Sequence, residues 1–236
     1  MDAKKKSTTT STTSSQSSKS AGSAQVNFLD LPKGVRNKIY SRVLIVPHPL
    51  FLFQEPGCRV ETFAPDRPFR WLALLYTNRQ ISHEASAVLY RINHFHLVDI
   101  TEQQFGLLRS FLDCIGHVNA ASLSHLDINF PVVESIDGKP GALKLRDDNL
   151  QSLELLRHNC TTLSTLEALI HSKNFSIFRK TDDFLREALL LIDAQFRAIS
   201  SLKKIIIRVT VYDKIPTSAT DYMEGLGWVV VFGSKN

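Results

Sequence analysis

Leu123-Ser124-His125-Leu126-Asp127-Ile128 is echoed twice further along the chain, as Leu163-Ser164-Thr165-Leu166-Glu167-Ala168-Leu169 and as Leu202-Lys203-Lys204-Ile205-Ile206-Ile207. The copies stand about 40 residues apart, and each follows a stretch of helical character, so the repeating unit is a helix followed by a short apolar segment. The third copy opens a run from Lys204 to Val211 rich in β-branched residues, which reads as a strand. Leu123 to Phe130 reads as a strand by analogy, and Leu163 to Leu169 as a short strand or helix.

Two architectures share this pattern. One is a degenerate leucine-rich solenoid, whose strands line a curved parallel sheet. The other is an ordinary sheet whose buried strands are rich in Leu and Ile. The expected fold class is α+β or α/β, with helices on one face of a small sheet. Thr101 is placed to cap a helix through Cys114, residues 147–158 form another, and Thr181 or Asp182 caps a strong one. In that last helix Phe184, Leu185, Ala188, Leu189, Ile192, Phe196 and Ile199 make one apolar stripe. Asp147-Asp148 and Asp182-Asp183 each precede a helix, where acids complement the dipole, so they read as capping groups. Ile136 to Gly141 is a loop by its turn residues, and Trp228 to Phe232 a last strand.

In the first half, Leu31, Val35, Ile39 and Val43 recur every four residues behind Pro32 and form one stripe of a helix running to about Leu44, with Asp30 as its capping carboxylate. Five prolines make 46–69 a proline-rich insert, in which Phe51-Leu52-Phe53 pairs with Val60-Glu61-Thr62-Phe63 as a short hairpin. Helix returns from Trp71 to Tyr90, with Leu74, Leu75, Ile81, Ala85, Val88 and Leu89 facing inward. Asn93 to Val98 alternates polar and apolar, as a half-buried strand does. Residues 1–25 are Ser/Thr-rich and lack aromatic or branched aliphatic side chains, so a disordered leader is expected. The chain thus divides into leader 1–25, module 27–98 and body 99–236.

Composition narrows the function classes. A hydrophobic fraction of 43% fits a folded chain, and no apolar run approaches the roughly 20 residues of a membrane span. Lys4-Lys5-Lys6 is followed by Ser and Thr and not by the apolar middle of a secretory signal, so a cytoplasmic or nuclear location is expected. Cys58, Cys114 and Cys160 are odd in number and far apart, which argues against a disulfide framework or a thiolate zinc site. The net charge is +5, of which Lys4, Lys5, Lys6 and Lys19 against Asp2 place +3 in the leader. The +2 that remains is too small for a nucleic-acid groove, and neither nucleic acid nor membrane is an expected partner.

The chain has no G-x-S-x-G elbow, Walker loop, H-E-x-x-H or G-x-G-x-x-G, so no catalytic or cofactor-binding residue is assigned. His94 and His96 share one face of their strand, the right chemistry for a metal pair. No carboxylate or thiol nearby in the sequence completes a set, and no metal site is expected.

The phrase Leu29-x-Leu31-Pro32-x-x-Val35-Arg36-Asn37-x-Ile39-Tyr40, then Leu74-Leu75-x-x-Asn78-Arg79-Gln80-Ile81-x-x-Glu84-Ala85-x-x-Val88-Leu89-Tyr90 and Asn93-His94-Phe95, resembles a group of fungal F-box-like proteins. The resemblance covers residues 27–98. It implies that the Leu-Pro helix docks on a Skp-type adaptor of a cullin–RING ubiquitin ligase, with Leu31, Pro32, Val35 and Ile39 facing the adaptor and the C-terminal body holding a protein substrate. Gly34 stands where the group has Glu, at a cost of about 1 kcal/mol relative to Ala in a helix. Periodicity by itself reads the same stripe as core of its own domain.

The expected function is a non-enzymatic protein-interaction adaptor, to which the resemblance adds the substrate-receptor role. Two alternatives stay open. One is a scaffold of the same group without adaptor binding, which Gly34 favours. The other is an enzyme whose site gathers dispersed residues, such as several of His83, His94, His117 and His125 with an acid.

Overall fold

The three echoing segments are neighbouring parallel strands. The computed structural model describes residues 27–233 apart from 56, 69, 99–102, 137, 139–140, 172–176 and 210–214. In chain order the elements are α1 (Lys33–Leu44), β1 (Leu50–Phe53), β2 (Glu61–Phe63), α2 (Arg79–Ile92), β3 (His94–Leu97), α3 (Gln104–Ser122), β4 (His125–Asn129), β5 (Val133–Ser135), β6 (Leu143–Leu145), α4 (Asp147–Asn159), β7 (Thr165–Ile170), α5 (Asp182–Arg197), β8 (Lys204–Val209), α6 (Thr217–Gly225) and β9 (Val229–Phe232). Short 3-10 helices at Phe28–Asp30 and Trp71–Tyr76 precede α1 and α2. The main sheet has the order β2-β1-β3-β4-β7-β8-β9, and β5 and β6 pair separately. Every pairing in the main sheet is parallel except β1 with β2.

The echo has a backbone cause. Ser124 O accepts from Ser164 N and Thr165 N, and Ser164 O accepts in the same way from Lys203 N and Lys204 N. One residue before each later copy a hydroxyl reaches back to the preceding Leu: Thr162 Oγ1 donates to Leu123 O at 3.2 Å, and Ser201 Oγ to Leu163 O at 2.9 Å. The repeated Leu-Ser phrase is therefore the turn by which each strand enters the sheet beside the last.

Because the parallel strands step across the sheet in chain order, right-handed crossovers put α2 to α6 on one face, and consecutive helices pack together. Leu50, Leu52, Phe95, Leu97, Leu126, Ile128, Leu166, Ala168 and Ile207 point to that side and are buried. Each Leu, Ile or Phe among them contributes roughly 1.5–3 kcal/mol by burial. Strand alternation sends Phe51, His94, His96, His125, Asp127, Glu167, Ile206 and Arg208 to the opposite face, which is helix-free among the described residues. β3, from the 27–98 segment, pairs with β4 from the 99–236 segment, so one sheet and one core cluster run across both.

Several local expectations change. The helix expected from Trp71 to Tyr90 is broken at Asn78, whose backbone is extended and whose side chain accepts from Ile81 N at 2.9 Å. The 3-10 helix ends there and α2 begins. Asp30 does not cap α1. It closes a capping box with Asn27 over the 3-10 helix, and Pro32 takes the N-cap position of α1 without a side-chain bond. α3 turns sharply at Gly116, whose φ of +75° and ψ of 162° suit glycine, and continues to Ser122. The leader 1–25 and the proposed cap Thr101 lie outside the described residues. Asp147, Asp148, Asp182 and Asp183 do stand in the first turns of α4 and α5. Among the described residues, no helix is long and apolar enough to cross a membrane.

Candidate functional site

Of the four residues assigned to adaptor docking, Val35 and Ile39 lie on α1, Pro32 is its N-cap and Leu31 precedes it. Val35 is 42% exposed and Val43 36%; Pro32 is exposed, and Leu31 and Ile39 are partly so. The buried face of α1 is instead Arg36, Tyr40 and Leu44. Val35 and Val43 therefore lie outside the core and Leu31 and Ile39 at its edge, and the reason lies in α2. Arg36 Nε and Nη2 donate to Glu84 Oε2 and Oε1 at 2.9 and 2.6 Å, and Nη1 donates to the carbonyls of Leu31 and Leu29 at 2.6 and 3.2 Å. Tyr40 Oη donates to Glu84 Oε2 at 3.0 Å, and Gln80 Nε2 to Oε1 at 3.2 Å. The hydrogen bond from Arg36 holds the Glu84 carboxyl down to about 2 and raises the Arg36 guanidinium in turn. Burial, then the bond to Glu84, raises the Tyr40 hydroxyl. A bidentate guanidinium–carboxylate pair fixes which face of a helix is inward more firmly than two valines can.

Asn93 completes this corner. Its Nδ2 donates to Leu44 O and Leu89 O at 2.9 and 3.0 Å, and its Oδ1 accepts from Val46 N at 2.9 Å. One buried side chain thereby ties the C-terminal ends of α1 and α2 to the start of β3.

A second constellation occupies the centre of the helix-free sheet face. Ladder register sets His94 opposite His125, His96 opposite Asp127, and Asp127 opposite Glu167. His94 Nε2 contacts Asp127 Oδ1, His96 Nδ1 lies 2.9 Å from Asp127 Oδ2, and His125 Nε2 lies 3.9 Å from Asp127 Oδ1. The His94 and His125 rings stack with centroids 3.6 Å apart and planes within 8°. Arg208 Nε donates to Glu167 Oε1. Both carboxylates are only 2% exposed. His171, just past β7, is held below its ordinary value by burial and by the neighbouring His96. No carboxylate stands near His94 and His96 in the sequence, but Asp127 and Glu167, distant in the chain, are brought beside His94 by parallel register. The signal that could have found them is the 40-residue echo, since both occupy the same position of their copies.

The other histidines considered do not join them. His83 and His117 are exposed on α2 and α3. A pocket beside β1 is lined by Trp71, Leu75, Tyr90, Phe95, Phe111 and Cys114 among others, and no histidine borders it. Cys58, Cys114 and Cys160 are free thiols, and burial pushes Cys160 up to about 12.

Comparisons of this chain with protein-family models, with curated proteins and with solved structures give no match.

Proposed function

We propose that the chain is a non-enzymatic protein-interaction adaptor that docks through the outward stripe of α1 on a Skp-type adaptor of a cullin–RING ubiquitin ligase, while the helix-and-sheet body recruits a protein substrate. The observation that carries this reading is the exposure of Val35 and Val43 on a helix whose other face is locked by Arg36, Tyr40 and Leu44. A stripe of aliphatic side chains left outside while a guanidinium is taken inside is a face available to a partner. Leu31, Pro32, Val35 and Ile39 are the contact residues in this reading. Gly34 has nothing within 4 Å of where a Cβ would stand, so its missing side chain leaves room and no internal contact depends on it.

The test is binding of the purified full chain to a Skp-type adaptor by calorimetry, beside Ile39→Asp and Val35→Asp variants whose folding is checked by circular dichroism. Submicromolar binding by the wild type, lost in folded variants, is the expected result. A wild type that does not bind refutes the ligase role and leaves the scaffold reading in its place.

A further inference from the structure

We infer that the centre of the helix-free sheet face is a binding site for one divalent transition-metal ion of the zinc class, held by the imidazoles of His94 and His125 and the carboxylates of Asp127 and Glu167. One ligand atom from each of the four lies within 4.8 Å of every other. In a tetrahedral zinc-class site with bonds of about 2.0–2.2 Å the donors stand roughly 3.3–3.6 Å apart. Side-chain rotations that move the donor atoms by about 1 Å close the set, and the backbone is already positioned, because the residues sit on three adjacent strands in fixed register.

Charge points the same way. Two buried carboxylates face the cluster, and Arg208 supplies one fixed positive charge, to Glu167. Buried carboxylates are costly unless compensated. A divalent cation can stand where a shared proton otherwise joins the imidazoles to Asp127, and His96 on Asp127 and Arg208 on Glu167 are the outer partners that orient metal-ligating carboxylates. The echo adds an independent argument. At the corresponding outward position the three copies carry Asp127, Glu167 and Ile206. The strand architecture accepts an apolar residue there, so it does not itself require the acids. Two imidazoles and two carboxylates without a thiolate suit zinc, iron, nickel or manganese better than a soft copper(I) site or an all-oxygen calcium site.

The experiment uses the full chain, stripped with a chelator and titrated with Zn²⁺ in competition with a chromophoric chelator. Co²⁺ substitution follows, read by visible absorption. The expected result is one tight Zn²⁺ per chain and the intense Co²⁺ bands of a low-coordinate nitrogen–oxygen site. Glu167→Gln and His125→Ala should weaken Zn²⁺ binding by more than the roughly 10–100-fold that loss of an outer partner costs. His48→Ala and His158→Ala, outside the cluster, should leave it unchanged. The wild-type Co²⁺ spectrum needs no variant. A wild type giving only the weak spectrum of hydrated Co²⁺, or Zn²⁺ binding insensitive to both cluster substitutions, overturns the inference.

Discussion

Replacing Val35 with Asp tests which side of α1 is inside. Val35 is the third residue of the helix after its Pro32 N-cap and is 42% exposed. An exposed substitution of this kind changes stability by about 0.5 kcal/mol or less. A carboxylate in a first turn adds about 0.3–1 kcal/mol in favour of the helix, so the net effect should lie near zero or be slightly stabilising. If the stripe were core, a carboxylate there would be a buried unpaired charge and would cost several kcal/mol. The companion substitution is Tyr40→Ala. Tyr40 is fully buried, its ring lies 5.8 Å from that of Phe28, and its hydroxyl donates to Glu84. Truncating a buried aromatic side chain costs about 3–5 kcal/mol. For a chain of this size each kcal/mol corresponds to about 2–4 °C in Tm. Thermal and urea unfolding of both variants, followed by circular dichroism, should leave Val35→Asp within about 2 °C of the wild type. Tyr40→Ala should fall by about 6–20 °C. A loss of more than about 2 kcal/mol in Val35→Asp would refute the orientation of α1 and with it the docking surface.

The Glu84 carboxyl titrates near 2 in the folded chain against an ordinary 4.5, so its stabilising contribution is complete above pH 4.5 and is lost as pH falls from 4.5 towards 2. Glu84→Gln should lower Tm at neutral pH and flatten the acid limb of a Tm–pH profile; an unchanged acid limb would count against the pair. Asn93→Asp removes two buried donors and sets a carboxylate against the Leu44 and Leu89 carbonyl oxygens, at about 1–3 kcal/mol for each group left unsatisfied. The predicted drop is read by urea denaturation, and a change below about 1 kcal/mol contradicts the assigned bonds.

Much of the architecture is legible in the chain because its signals are local. β1 and β2 follow from aromatic and β-branched runs between prolines, α5 from its apolar stripe behind Thr181, and the parallel strands from the Leu-Ser echo. α6 escapes because only Ala219 and Met223 are buried on it, too few to show a helical period. The β5–β6 hairpin escapes because its strands are three residues each, flanking what reads as loop. The orientation of α1 fails for a different reason. Residues 35, 39 and 43 and residues 36, 40 and 44 form adjacent rows on one helix, and periodicity ranks the aliphatic row first. What selects the other row is Glu84, 48 positions away from Arg36. The histidine–carboxylate cluster fails likewise, since its members come from β3, β4 and β7 and meet only through sheet register.

The same distinction sorts the residues on which the likeness to F-box-like chains rests. Arg36, Tyr40, Glu84, Ala85, Asn93 and Phe95 are each committed inside: to the ion pair, to the core, or to the carbonyls that end α1 and α2. A likeness carried by such residues reports how the corner is built, and a chain could keep it without any partner. Leu31, Pro32, Val35 and Ile39 differ because, among the described residues, the hydrogen bonds that lock this corner do not use their side chains. Leu31 lends Arg36 only its backbone carbonyl. Those four are therefore the positions at which the proposed adaptor role and the scaffold alternative make different predictions. Asn93 adds a physical link between the two candidate surfaces: it clamps the end of α1 and immediately precedes His94, the first ligand of the proposed metal site. A displacement of α1 against α2 would have to break bonds made by that one side chain.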